Sequence, residues 1–260
     1  MNKMSVRSVA KLAYDLVKNH PQILQFSSVA KMKFTRGYPK NSPLEMKNWN
    51  WMLPGLVYEY KGVDGLKTGS TPKQGYSFTA TAQRGNTRLI SVVMDTNSYK
   101  ARFQQTKILL DYGFGNFEKT TLLKKGYAPK GKKTLPVTKG KTDKVSIASS
   151  KPISMMIEKG TKNQYKPEFT INQSKLSKKG KLTAPVKKGS VVGEVKLVKT
   201  GGQSYGYLTN DGNQNASSPV VTTGSVEKAS WFTLMMSGVG GFFSGIWSSA
   251  ADTVKGWFGG

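Results

Sequence analysis

The chain has 260 residues, 37% of them apolar, and carries Lys+Arg 40 against Asp+Glu 14, a net charge of +26. It contains no Cys and one His, His20, which excludes thiol catalysis, disulfides, Cys-based zinc and multi-histidine metal sites, so neither metal nor cofactor is expected. The positive excess points to a polyanionic neighbour. Only Arg7, Arg36, Arg84, Arg88 and Arg102 are arginines. A Lys-dominated surface suits loose attraction to a charged polymer better than base readout, so nucleic acid is not the expected partner.

The first 20 residues have no continuous apolar run and no small-residue cleavage site, and do not read as a signal peptide. Apolar residues at Val9, Leu12, Ala13, Leu16, Val17, Ile23 and Leu24 predict an amphipathic helix over 5–24, with Ser5 or Ser8 as its cap. His20, beside Pro21, marks a helix end. Residues 26–60 read as short strands and loops around Phe34, Trp49, Trp51 and Tyr58. Tyr76–Ala82 alternates, Arg84-Gly85-Asn86 turns, and Leu89–Met94 is a continuous apolar run. Together they predict a hairpin whose second strand is central in a sheet. Ser98 then caps a helix carrying Ala101, Ile108, Leu109 and Tyr112, which Gly113 is expected to end.

Residues 121–205 hold 20 Lys, four acidic residues and no Arg. Gly and Pro punctuate short β-type runs at Val145–Ala148, Ile153–Ile157, Phe169–Ile171 and Val191–Val198, which predicts a small all-β domain. Residues 206–224, rich in Gly, Ser, Asn and Thr, read as a flexible linker. In 225–260, Trp231, Met235, Val239, Phe242, Ile246, Ala250, Val254 and Trp257 recur at helical steps, with Phe243 and Trp247 adding aromatic bulk. Three of the five Trp fall in the last 30 residues. A helix with such a face suits the membrane–water interface. A span is the alternative, because Trp231–Ala251 offers 21 residues without a charge.

The chemistry-bearing stretch is Val63-Asp64-Gly65-Leu66-Lys67-Thr68-Gly69-Ser70-Thr71. K-T-G alone is weak evidence. Ahead of a hairpin and a helix at close spacing it has the context of the penicillin-recognising serine enzymes. Gly62–Asn116 closely resembles the D-alanyl-D-alanine carboxypeptidases, the low-molecular-mass penicillin-binding proteins, and the nearest relatives are expected among Gram-positive bacteria. The resemblance extends to 121–205 as the family's accessory β domain and to the tail as its amphipathic anchor.

The resemblance implies an α+β architecture. A partial transpeptidase-like domain (1–120), an antiparallel sheet with helices, precedes the β domain (121–205), the linker (206–224) and the anchor (225–260). It implies that Lys67 places a fixed positive charge beside the nucleophile. Thr68 and Arg102 hold the substrate's terminal carboxylate, Gly69 keeps the wall low, and the Ser70 N–H is an oxyanion-hole donor. The implied partners are a peptidoglycan stem peptide, β-lactams for the full-length enzymes, and a membrane surface at the outer face of the cell, met by Trp231, Phe242, Phe243, Trp247 and Trp257. Trp49 stands where some relatives carry a substrate-contacting Arg.

The family's S-x-x-K nucleophile motif should lie well over a hundred residues upstream of K-T-G, and only 66 residues precede Lys67. Ser8-Val9-Ala10-Lys11 and Ser28-Val29-Ala30-Lys31 fit S-x-x-K by letter only, and no S-x-N precedes Lys67. The expectation is a truncated chain, inactive alone, which would expose an apolar face unless it pairs with a missing N-terminal half. A non-catalytic, membrane-anchored envelope module is the alternative.

Overall fold

The structure, a computed structural model, describes residues 4–35, 43–129, 131–209, 212 and 215–231. The chain forms two compact units. The first comprises Met1–Thr121, Ser154–Tyr165 and Lys199–Asn215; the second comprises Leu122–Ile153, Lys166–Val198 and Ala216–Gly260.

In the first unit Ser5 is the cap that starts helix α1 (Val6–Asn19), its hydroxyl accepting from the Ser8 N–H at 3.1 Å. His20 closes the helix, its N–H donating to Leu16. The helical pattern continues beyond, but Pro21 disfavours helical geometry at His20, so Ile23–Ser27 becomes a separate helix α2. A hairpin follows, β1 (Lys31–Thr35) against β2 (Pro43–Lys47). After a turn-rich stretch come β3 (Val63–Thr71), β4 (Gly75–Arg84) and β5 (Thr87–Thr96), an antiparallel sheet of order β3-β4-β5. Ser98 caps α3 (Tyr99–Asn116) by accepting from the Ala101 N–H.

Alternation along β4 puts Phe78, Ala80 and Ala82 on one face, and these meet Phe103 and Leu110 of α3 and Met52, Leu53 and Tyr60 of the turn-rich stretch. Helix α1 packs on β5 and β4. The Tyr60 hydroxyl donates to Asp111 at 2.9 Å and ties α3 to that stretch. Burial, helped by this bond, pushes the phenol up to about 12. Bonds from Lys107 and Tyr60 hold the Asp111 carboxyl below its usual range.

Two expectations for this unit need correction. The strand expected to be central, Leu89–Met94, lies in β5, at a sheet edge among the described residues, and β4 is the central strand. A continuous apolar run reports two covered faces, not two strand neighbours. Nor does Gly113 end α3, which runs on to Asn116. A Cβ at Gly113 would lie 2.5 Å from Leu89 Cδ1, so this glycine permits close packing of helix on strand.

Strand β6 (Phe117–Leu123) leaves α3, followed by β7 (Thr134–Thr138), β8 (Lys144–Ser149), β9 (Ile153–Glu158), β10 (Tyr165–Ile171), β11 (Leu182–Thr183), β12 (Val191–Lys199) and β13 (Ser217–Thr222). β6 and β9 pair by themselves, and the second unit is built on a six-stranded sheet of order β10-β12-β13-β8-β7-β11. Val145, Ile147, Val192, Val195, Leu197 and Val220 are buried along its strands.

The expected linker is corrected here, because 217–222 is strand β13, paired with both β12 and β8. Its composition misleads because its buried polar residues are small and satisfied. Ser218 Oγ donates to Lys151 O at 2.9 Å, and Thr222 Oγ1 donates to Lys187 O at 2.6 Å. The expected anchor start also moves. Val226 bridges to Val186 and Lys228 to Gly140, so these residues belong to the β unit. Phe242, Phe243, Trp247 and Trp257 lie outside the described residues.

Candidate active-site wall

Strand β3 has a fixed root and an open end. At the root Val63 and Gly65 are buried. The Asp64 carboxylate receives both arms of the Arg88 guanidinium, at 2.9 and 2.8 Å. Arg88 also donates to Thr81 and Gln83, so one β5 side chain ties all three strands together. Ser27 at the end of α2 donates to Asp64 O at 2.9 Å, and buried Asn50 donates to Gly65 O at 3.2 Å. A Cβ on Gly65 would sit 2.7 Å from Ser27 Oγ, so a larger residue here would push the Ser27 hydroxyl off its bond to Asp64 O. None of Asp64, Arg88, Asn50 or Ser27 was singled out from the sequence, since their partners are tertiary and leave no spacing signal.

Beyond the root the burial lifts. Lys67, Gly69, Ser70 and Thr71 are exposed and Thr68 is half-buried. By register with β4, Lys67 and Gly69 share a face with Thr79 and Ser77, while Thr68 and Ser70 share the other with Phe78 and Tyr76. Lys67 Nζ donates to Thr68 O. A Cβ on Gly69 would meet nothing within 4 Å, so the strand looks onto open space there.

Arg102, in the first turn of α3, reaches β3, its Nη1 standing 3.4 Å from Gly69 O. The residue is only 4% exposed, and its guanidinium lies over the rings of Phe103 (4.8 Å) and Tyr76 (5.8 Å). Its Nε is buried without a hydrogen-bond partner, and no Asp or Glu among the described residues pairs with it. Burial lowers its pKa, opposed by Tyr76. A buried cation without a counter-charge is costly, and an anion brought to this position would relieve the cost. Lys67, Thr68, Gly69, Ser70 and Arg102 therefore fall at one sheet edge.

The S-x-x-K look-alikes do not join them. Ser8 is on α1, which packs on β5 and β4, and its hydroxyl is bonded to Ser5 Oγ at 3.0 Å. Ser28 ends α2 while Lys31 opens β1, so no helical turn brings the two side chains together. Trp49 is 70% exposed and stacked on Trp51, with ring centroids 6.5 Å apart. Trp231 is exposed at the edge of the described residues, and no described helix is long and apolar enough to cross a membrane.

Known proteins resemble this chain over most of its length. Residues 1–98 match the family model for D-alanyl-D-alanine carboxypeptidase, and residues 117–228 match that for the penicillin-binding protein 5 C-terminal domain. The chain is 31% identical over 224 residues to the D-alanyl-D-alanine carboxypeptidase DacF of Bacillus subtilis, covering 86% of this chain and 52% of that protein. It is 32% identical over 192 residues to DacA of Escherichia coli, covering 74% and 43%. Among solved structures, penicillin-binding protein 5 of Haemophilus influenzae matches at 27% identity with a TM-score of 0.60, covering 86% of this chain and 57% of that one. A peptidoglycan synthesis regulatory factor, PBP3, of Streptococcus pneumoniae matches at the same identity and TM-score, covering 86% and 56%. The chain thus spans about half the length of the curated relatives it matches. Two family models in tandem, and relatives aligned across both, make this chain a member of the D-alanyl-D-alanine carboxypeptidases, the low-molecular-mass penicillin-binding proteins.

Proposed function

We propose that the first unit is the K-T-G wall of a serine D-Ala-D-Ala carboxypeptidase cleft whose nucleophile lies outside these 260 residues. The observation that carries this reading is Arg102, buried, without a carboxylate partner among the described residues, and 3.4 Å from Gly69 O on a strand edge that is open among them. A stem peptide would lie along β3 as an added strand, with room at Gly69 for its backbone. Its terminal carboxylate would take charge-assisted bonds from Arg102 and a bond from the Thr68 hydroxyl.

The serine oxygen attacks the penultimate D-Ala carbonyl, and the Ser70 N–H is one donor to the oxyanion that forms. The C–N bond then breaks, D-Ala leaves as the amine with a proton, and water hydrolyses the acyl-enzyme. Lys67 supplies the fixed charge that supports these proton transfers. β-Lactams enter the same cleft and stop at the acyl-enzyme.

A fluorescent penicillin tests this. The purified chain should show no covalent label. Co-expressed with the portion of the Bacillus subtilis relative that lies outside the matched segment, it should form a labelled complex whose label is reduced at least tenfold by Lys67→Ala. Labelling of the chain alone would show that it holds a nucleophile of its own and end this reading.

The tail, 231–260, is proposed to lie in the membrane interface, with Trp231, Phe242, Phe243, Trp247 and Trp257 at headgroup depth; the family resemblance suggests the outer face. Flotation with anionic liposomes should recover the full chain and lose most of a chain ending at Ser230. Equal recovery of both would remove the anchor.

A further inference from the structure

Three segments of the second unit are tied together past the end of β7. Beyond Thr138 the chain continues through Lys139, Gly140 and Lys141, and the backbone of 226–229 lies beside it. The Lys141 N–H donates to Glu227 O and the Ala229 N–H to Lys139 O, both at 2.9 Å, with Gly140 opposite Lys228 between them. At the other end of the same short segment, Val226 and Val186 exchange main-chain bonds at 2.8 Å. The Lys188 N–H donates to Ser225 Oγ at 3.0 Å. Val137, Val186 and Val226 are buried. A Cβ on Gly140 would lie 2.6 Å from Val226 Cγ1, so a side chain there would press the 226–229 segment away. Lys139 holds φ at +58°, a costly conformation for a residue with a side chain, kept here by the flanking bonds.

This frame carries Lys139, Lys141, Lys144, Lys187, Lys188 and Lys228, all exposed. The acids within 137–144, 184–190 and 225–231 are Asp143 and Glu227. Glu227 is bonded to Lys141 at 2.5 Å, and no carboxylate among the described residues forms an ion pair with the other five lysines. Toward the opposite edge of the sheet the charges balance, Lys166 against Glu168 on β10 and Glu194 against Lys196 on β12. The second unit has no arginine, so its cations act as hydrated point charges and not as bidentate grips. Three residues beyond Lys228 comes Trp231, which is exposed.

We infer that this corner of the second unit rests on anionic phospholipid headgroups, its lysines facing the lipid phosphates, as a membrane contact separate from the tail. The chain leaves the corner through Trp231 into the stretch proposed to lie in the interface, so the same bilayer comes within reach of both. Lysine beside tryptophan suits that boundary, the amine reaching the phosphates and the ring the level beneath. An apolar contact alone binds a membrane reversibly, and a basic patch is the kind of second signal that makes attachment stable. This inference rests on the reading of the tail as interfacial and names the lipid chemistry that the neighbouring unit adds to it.

The test uses the full chain with two kinds of vesicle, neutral phosphatidylcholine and the same lipid with about one-third phosphatidylglycerol. A lysine close to an anionic surface contributes about fivefold in affinity. Lys139→Gln, Lys187→Gln, Lys188→Gln and Lys228→Gln together should weaken binding to the anionic vesicles at least about thirtyfold and leave binding to the neutral ones unchanged. Lys162→Gln, Lys166→Gln, Lys175→Gln and Lys196→Gln remove the same charge on and beside β10 and β12, and should cost less than about fivefold. All eight positions are exposed, and an unchanged urea midpoint shows that the fold is kept. Equal losses from the two sets would mean that net charge alone acts, and would overturn the proposal. Short inorganic polyphosphate should bind the two sets within about threefold of each other, since it offers no surface. A loss confined to the first set, and as large as on vesicles, would make the corner a site for a soluble polyanion and overturn the lipid contact. Binding to neutral vesicles with no gain from phosphatidylglycerol would sink this contact and keep the tail reading. No binding to neutral vesicles, with the first set still losing affinity for anionic ones, would do the reverse.

Discussion

Replacing Phe103 with alanine should lower the unfolding free energy of the first unit by about 4 kcal/mol, within the range for deletion of a fully buried aromatic side chain. Phe103 is 1% exposed and meets Phe78 edge-on at 5.4 Å, Tyr58 at 5.2 Å and Trp51 at 6.4 Å. These partners come from the central strand and from the turn-rich stretch before β3, elements that cannot both move in to fill the space. The loss therefore includes a cavity term as well as buried area, and it falls on the α3–β4 contact from which Arg102 reaches β3. Urea unfolding followed by tryptophan fluorescence reports on it, because Trp51 stacks on the same ring. The midpoint should drop while the slope for the first transition stays constant. A change below about 1.5 kcal/mol would mean that the aromatic cluster rearranges around the gap and does not set the position of α3.

The parts legible in the sequence were those with local causes. The alternation of Tyr76–Ala82, the Gly85 turn with its positive φ, and the Ser98 cap each depend on residues within a few positions, and each stands where expected. K-T-G was legible because its neighbours in sequence are also its neighbours in the sheet.

What failed depended on distant partners. β13 reads as linker in the sequence because Ser218 and Thr222 look like loop residues until Lys151 and Lys187 supply acceptors for their hydroxyls. Gly113 reads as a stop signal, while its reason is Leu89, 24 positions earlier and on another element. The same limit hid Arg88. As a sequence letter it is one of five arginines. As a side chain it fastens Asp64, Thr81 and Gln83 and so holds the root of the wall still. Strand order is the hardest of these to read, because an apolar run says nothing about which of its two edges is paired, and the run in β5 therefore suggests a central strand where the sheet has an edge.

Arg102→Met separates what this residue does for the fold from what it does for a ligand. In the fold it is a buried cation with an unpaired Nε, a long 3.4 Å contact to Gly69 O and two ring contacts, a poor return for desolvating a charge. Methionine keeps most of the volume and removes the charge, and comparable replacements of buried charges are neutral or stabilising by about 1–2 kcal/mol. The unfolding midpoint of the chain should therefore hold or rise. In the complemented enzyme the same change removes the cation facing the substrate's carboxylate. Charge-assisted hydrogen bonds of about 1.5–3 kcal/mol correspond to a roughly 10- to 160-fold fall in kcat/KM for a D-Ala-D-Ala peptide. A peptide amidated at its C-terminus, which lacks the carboxylate, should be cleaved equally by both forms. If Arg102→Met instead destabilised the chain by 3 kcal/mol or more, or lowered turnover of acid and amide peptides alike, Arg102 would be a packing residue and the anion site at the K-T-G wall would have lost its main support.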